Sequence, residues 1–166
     1  MSVIVRPAHP HELDRAGELT VEAYDADGYL VGDDPYLDKL RDAATRAKEA
    51  EVYVAVLPEA PDHPVGTVTY CVPPSPWTEL ARDGEGEIRM LGVAPSARRR
   101  RGGGEALVSA CIERSRELGH TAVVLSSLPE QVAAHRVYGR LGFRRTPDLD
   151  WSPLPGVDLL AFRLEL

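Results

Sequence analysis

Cysteine, methionine, phenylalanine and tryptophan are all scarce here, with two of each among 166 residues. So few cysteines, without metal-ligand spacing, exclude a disulfide framework and a zinc site as organising devices. Cys71 and Cys111 sit in the apolar stretches "VTYCVPP" and "VSACIERS" and read as buried thiols, with a bridge between them as the alternative. Long apolar runs are missing as well. The opening "MSVIVRPAHPHE" has no signal-peptide core and no later stretch could span a bilayer, so the expected setting is cytoplasmic, without a membrane partner. Positive charge is not in excess either, since the formal net charge is −7 and the sequence pI about 5.2. Nucleic-acid binders usually carry the opposite balance, because phosphate neutralisation dominates their affinity, so no nucleic-acid partner is expected. His9, His11, His63, His120 and His135 are scattered with no pairing suited to a metal, and all read as structural or surface residues.

What is present suits one domain spanning residues 1–166, long enough to bury a core. "SVIVRPA" reads as a first strand. Leu13, Ala16, Thr20 and Ala23 recur at helical spacing over residues 10–24. After a loop, Asp34 and Pro35 form a helix start, and Tyr36, Leu37, Leu40, Ala43, Ala44 and Ala47 make one apolar stripe. "EVYVAVL" and "VGTVTYCV" read as an antiparallel hairpin whose turn, "PEAPDHP", is rather long, and "GEIRMLGV" adds a strand. A helix follows over 104–118, with Leu107, Cys111 and Leu118 on one stripe and Val108 and Ile112 beside it. "TAVVLSS" is a buried strand, and "SLPE" has the form of a capping box opening a further helix through Ala134, Val137 and Leu141. "FRRT" and "VDLLAFRLEL" supply the last strands. The sum is an α/β domain: a mixed, mostly antiparallel sheet of six to seven strands, with about four helices on both faces.

Within this order, "PSARRRRGGGEALV" joins a strand to a helix. A charge run is by itself ordinary solvated surface, and a glycine turn by itself only turns a corner. Together at a helix start they gain a chemistry. The first N–H groups of a helix lack intrahelical partners, the dipole favours an anion there, and glycines allow close approach. Arginines beside the turn add charge-assisted bonds to phosphate oxygens. On an acidic chain this suits one small anion better than a long polyanion. A P-loop is excluded because no lysine-hydroxyl pair follows the glycines.

Arg99-Arg100-Arg101-Gly102-Gly103-Gly104 fits the signature Gln/Arg-x-x-Gly-x-Gly/Ala, and "AAHRVYGRLGF" fits a helix ending in Tyr-x-x-Leu-Gly-Phe. With a strand between these motifs and the same order of elements over nearly the whole chain, the sequence resembles the GCN5-related N-acetyltransferase (GNAT) superfamily. The resemblance implies acetyl transfer from acetyl-CoA, with no metal, to a small-molecule or peptide amine. It implies that Leu91, Gly92 and Val93 hold the pantetheine arm and that Arg99 to Gly104 hold the pyrophosphate. Gln131 stands where the family commonly has a cofactor-side asparagine, and Tyr138 matches the tyrosine that protonates the departing thiolate. A homodimer through the last strand is allowed by the resemblance and left open by the residues.

Three departures accompany it. The approach from Pro95 is one residue longer than usual, so Arg98 or Arg99 takes the first signature position. Gln131 has a longer reach than asparagine. Ser126 replaces a glutamate that some subfamilies carry on the fifth strand, which shifts the search for a base to Glu87. In a regular strand Glu87, Arg89, Leu91 and Val93 share one face, and a bulge would move that register by one. The alternative for Glu87 is a surface carboxylate paired with Arg89, and for Tyr138 a core tyrosine with a satisfied hydroxyl. In the family the first two helices and their loop wall the acceptor site, which here places Tyr24, Asp25, Asp27, Tyr29, Asp33 and Asp34. These acids suggest a cationic amine, or serve only solubility. Trp77 and Trp151 line the cleft or seal the core. A CoA-binding regulatory module without transfer is the rival reading.

Overall fold

The computed structural model describes residues 3–26, 36–98 and 102–166. Its strands are β1 (Ile4–Pro7), β2 (Glu51–Leu57), β3 (Ala60–Cys71), β4 (Glu85–Val93), β5 (Ala122–Ser127), β6 (Arg144–Arg145), β7 (Trp151–Leu154) and β8 (Val157–Glu165). The helices are α1 (Leu13–Ala26), α2 (Tyr36–Arg41), α3 (Ala43–Arg46), α4 (Gly103–Glu117) and α5 (Val132–Arg140). The sheet runs β1-β2-β3-β4-β5-β8-β6, with β7 paired to β8. Among the described strands β4 and β5 alone pair in parallel, because α4 carries the chain back between them. The α/β reading therefore holds, and the sheet gains one strand, β7, that the proline-rich "WSPLPG" concealed.

Alternation along the strands sorts the two faces. Val52, Val54, Thr67 and Thr69 are buried on one face, where Ala16 and Ala43 pack with the two valines. On the other, Val68, Tyr70, Ile88, Val123 and Leu125 meet Leu107, Val108, Cys111 and Ile112 of α4 and Tyr138 of α5. Burial of this apolar surface, at about 25 cal/mol per Å², is the main stabilising contribution.

Several expectations are corrected. The hairpin turn is short, Pro58-Glu59, and β3 starts at Ala60; register shifts beside Val56 accommodate the prolines. The second helix is not continuous from Tyr36 to Ala47. Asp42 interrupts it, accepting from Thr45 N (3.1 Å) and Thr45 Oγ1 (2.7 Å) as the N-cap of α3. Its predicted start at Asp34 and Pro35 lies outside the described residues. Ala44 is exposed, and Arg46 is buried in the stripe instead. Leu118 is 40% exposed, and Ser115 takes the inward position because its hydroxyl meets that of Tyr70 at 2.5 Å. "SLPE" does not cap α5, which begins after Gln131 without a side-chain cap. Cys71 and Cys111 are both free and buried, which removes the bridge.

Candidate functional site

β4 and β5 pair from Glu85↔Ala122 to Ile88↔Leu125 and then part. β4 continues to Val93 against β3, and β5 continues to Ser127 against β8. At the parting Met90 has φ 55°, and Thr67↔Gly92 follows Thr69↔Arg89, so two residues of β4 oppose one of β3. This is a β-bulge. It overturns the regular register: Glu87, Arg89 and Gly92 share the α1 face, whereas Val93 lies on the α4 side against Gly103. A Cβ on Gly92 would stand 2.9 Å from the Leu19 carbonyl oxygen and 3.2 Å from Ala23 Cβ, so only glycine lets α1 lie this close.

The glycine turn stands beside this opening. Gly102 is left-handed, with φ 64°, and its carbonyl accepts the Ala106 N–H at 2.9 Å, starting α4. A Cβ on Gly103 would lie 2.6 Å from the Ala97 carbonyl oxygen. The helix thus begins hard against the end of β4, and the N–H groups of Gly103, Gly104 and Glu105 belong to its first turn, where the helix offers no acceptor. Arg98 donates Nε–H to the Val93 carbonyl at 2.7 Å and braces the loop's entry. Arg99, Arg100 and Arg101 lie outside the described residues. The left-handed turn, the close approach and the donor set fit a pyrophosphate.

Gln131 faces inward. Its Oε1 accepts from Ser127 Oγ (2.7 Å) and Leu128 N (2.9 Å), which leaves its amide nitrogen as the donor group. His135, read only as structural or surface, joins the same corner, with Nε2 3.2 Å from Ser127 Oγ and 3.1 Å from the Leu128 oxygen. No sequence signal announced that role, since it arises from the late start of α5.

Tyr138 packs among Phe143, Phe162 and His135, with ring centroids 5.9, 5.5 and 6.4 Å away. It is 6% exposed, and burial pushes its phenol up to about 12. Glu87, 1% exposed, is not a surface carboxylate paired with Arg89. Its Oε1 accepts the N–H groups of Glu79 (2.9 Å), Leu80 (2.7 Å) and Ala81 (2.9 Å). Burial raises its proton affinity above the ordinary carboxylate range, against the opposing pull of those N–H groups. The loop it holds carries Trp77, whose carbonyl accepts from Arg89 Nη1 at 2.8 Å.

Tyr24 lies on α1 with its phenol in the field of Tyr36, Arg89, Tyr138 and Arg46; burial raises its pKa. Asp25 is in the last turn of α1. Asp27, Tyr29, Asp33 and Asp34 lie outside the described residues. The Trp151 indole N–H reaches Ser126 Oγ at 3.4 Å, so that tryptophan closes the β5–β8 side. Arg46 is the residue that sequence reasoning missed: a charged side chain inside an apolar stripe was the available signal. Among the described residues no group of three His, Cys, Asp or Glu side chains is placed to hold a metal. No helix among them is long and apolar enough to cross a membrane. A second concavity is lined by Arg6, Glu51, Tyr53 and Arg114, none of them residues of the opening, and Glu51 and Arg114 there pair at 2.9 Å.

Comparison with known proteins agrees with this layout. No protein of curated function matches the sequence. Among solved structures, a GNAT acetyltransferase from Staphylococcus aureus Mu50 superposes with a TM-score of 0.76 at 14% identity, covering 99% of each chain. The acetyltransferase yncA from Salmonella typhimurium, described as putative and solved with acetyl-CoA, gives 0.69 at 20% identity, over 100% of this chain and 95% of that one. A Bacillus subtilis acetyltransferase solved with CoA gives 0.69 at 19%, over 99% of each. The profile of the Acetyltransferase (GNAT) family matches residues 16–143, a span that takes in the bulged strand, the glycine turn and Tyr138, and the chain belongs to that family.

Proposed function

We propose that this protein transfers the acetyl group of acetyl-CoA to a primary amine by direct attack. The observation that carries the reading is the parting of β4 from β5 after Ile88 and Leu125, beside a left-handed glycine at the start of α4. Acetyl-CoA supplies an activated thioester. The first-turn N–H groups of α4 and the arginines before it hold its pyrophosphate, and the end of β4 that β5 leaves uncovered, Leu91 to Val93, lies along its arm.

Glu87, buried and turned toward its loop, takes a proton from the acceptor ammonium through water, leaving a lone pair on nitrogen. A raised proton affinity suits that task. The nitrogen then bonds to the carbonyl carbon, the carbon–sulfur bond breaks, and the nitrogen gives up its second proton. In this reading Tyr138 is the hydroxyl that serves the departing sulfur. A phenol near 12 is a weaker acid than a thiol at about 8.5, so Tyr138 stabilises the developing thiolate chiefly by hydrogen bonding. The products are an N-acetylated amine and free CoA thiol, with one proton released to solvent.

The test is a thiol-release assay with acetyl-CoA against a panel of amines, with mass spectrometry of the product. An acetylated amine formed at a rate dependent on amine concentration supports the reading. Stoichiometric CoA binding without transfer to any amine would favour the regulatory module.

A further inference from the structure

The sheet face under α1 carries positive charge that acetyl transfer does not use. Arg46 is fully buried. Its Nε donates to Thr69 Oγ1 at 3.2 Å, and Nη1 donates to the carbonyls of Lys39 (2.5 Å) and Leu40 (2.9 Å), the last turn of α2. All three acceptors are neutral, and among the described residues no carboxylate lies within ion-pair distance of Arg46. A buried guanidinium without a counter-charge is costly. Burial lowers its pKa to about 10, the fields of Tyr36, Asp42 and Tyr24 offset part of that, and Arg89 adds to the lowering.

Arg89 is its neighbour by register, because Thr69 and Arg89 are cross-strand partners and such partners share a face. The Arg89 side chain is 18% exposed. Among the described residues its nearest carboxylate is Glu79 at 3.8 Å, without a hydrogen bond, and that carboxylate is 39% exposed at the rim. Glu87, the other acid on this face, is turned toward the N–H groups of its loop. Trp77, whose carbonyl fixes Arg89, has a buried indole N–H with no acceptor. Among the described residues, donors therefore outnumber acceptors around Arg46 and Arg89.

We propose that the acceptor is a small amine that also carries a carboxylate, in the manner of an amino acid, and that Arg89, backed by Arg46, receives that carboxylate. The inference rests on the acetyltransferase reading. Arg89 is a binding residue here. Arg46 is a positioning residue that ties α2 to β3 and supplies positive potential from beneath, with no surface of its own to offer. Recognition of this kind discriminates strongly, because an acceptor lacking the oxyanion leaves a desolvated guanidinium unpaired.

The experiment has two arms. The first compares free α-, β- and γ-amino acids with their amides and their decarboxylated amines as acceptors. The expected kcat/KM advantage of the carboxylate form is on the order of 100-fold, and Arg89→Gln removes most of it by raising KM. Equal rates, or preference for the amides and bare amines, would overturn the proposal. The second arm is independent of turnover: thermal unfolding of the CoA-loaded protein with N-acetyl amino acids or their amides. Stabilisation by the acids alone, lost in Arg89→Gln, supports the subsite even if no amine is acetylated, in which case the transferase reading fails by itself. Equal effects of acids and amides overturn the subsite whatever the transfer assay shows.

Discussion

Glu87 Oε1 accepts the Leu80 N–H at 2.7 Å, with the Glu79 and Ala81 N–H groups converging on the same oxygen. One carboxylate thus organises the loop that leads into β4 while standing one residue before the strands part. Glutamine keeps an oxygen for these bonds but cannot take a proton. Glu87→Gln is expected to keep the fold and lower kcat about 100-fold. In the parent the rate rises with pH as Glu87 loses its proton, in a limb above the ordinary carboxylate value of 4.5. Disappearance of that limb in the variant is the signature to measure in a pH–rate profile.

Tyr138→Phe removes a buried hydroxyl and leaves the ring contacts with Phe143 and Phe162. If the phenol stabilises the leaving thiolate by one hydrogen bond, kcat falls about tenfold to a hundredfold, with acetyl-CoA affinity nearly unchanged. Steady-state kinetics with separate determination of kcat and KM checks this. An equal rise in KM with kcat intact would assign the hydroxyl to binding.

Gly103→Ala places a methyl 2.6 Å from the Ala97 carbonyl oxygen, where backbone rather than a mobile side chain must give way. The start of α4 should shift, weakening acetyl-CoA binding at least tenfold and costing about 1–3 kcal/mol of stability. Calorimetric titration and denaturant unfolding read the two effects. Gly104→Ala is the matched control, since its nearest neighbour would be 4.0 Å away.

The pattern of the chain made the scaffold and the cofactor side readable, because both follow from local chemistry. The nearly continuous apolar run "EVYVAVL" announces β2, and the glycines before an apolar helical stripe announce the start of α4. The acceptor side was not readable in the same way. The bulge at Met90 depends on how β4 meets β3, and it decides that Glu87 and Arg89 face α1 while Val93 does not. Arg46 lies in a stripe of alanines and leucines, yet the break at Asp42 turns it inward to cap α2. Gln131 and His135 acquire partners only because α5 starts later than "SLPE" suggests. Long-range packing decided each of these.

Stability should fall in acid through Glu12. Arg6 bonds it twice, at 2.7 and 2.8 Å, the His9 N–H adds a third bond at 2.9 Å, and these hold its carboxyl down at about 2. A depressed folded-state pKa stabilises above the unfolded value of 4.5 and loses that contribution as pH falls from 4.5 toward 2. Because Arg6 is partly exposed, the contribution at neutral pH is about 2 kcal/mol. Glu12→Gln should lose that much at pH 7 and approach the parent near pH 2, as denaturant midpoints across this range would record.

Thermal unfolding with and without acetyl-CoA addresses the cofactor cradle itself, beside the Arg100→Ala/Arg101→Ala double variant. At about a thousand times Kd, a ligand that binds only the folded state adds roughly 4 kcal/mol, a shift of roughly ten degrees for a chain of this size. The parted strands and the glycine turn predict that shift in the parent and its weakening in the double variant. An unchanged Tm in the parent at saturating acetyl-CoA would contradict the cradle and, with it, the acetyltransferase function.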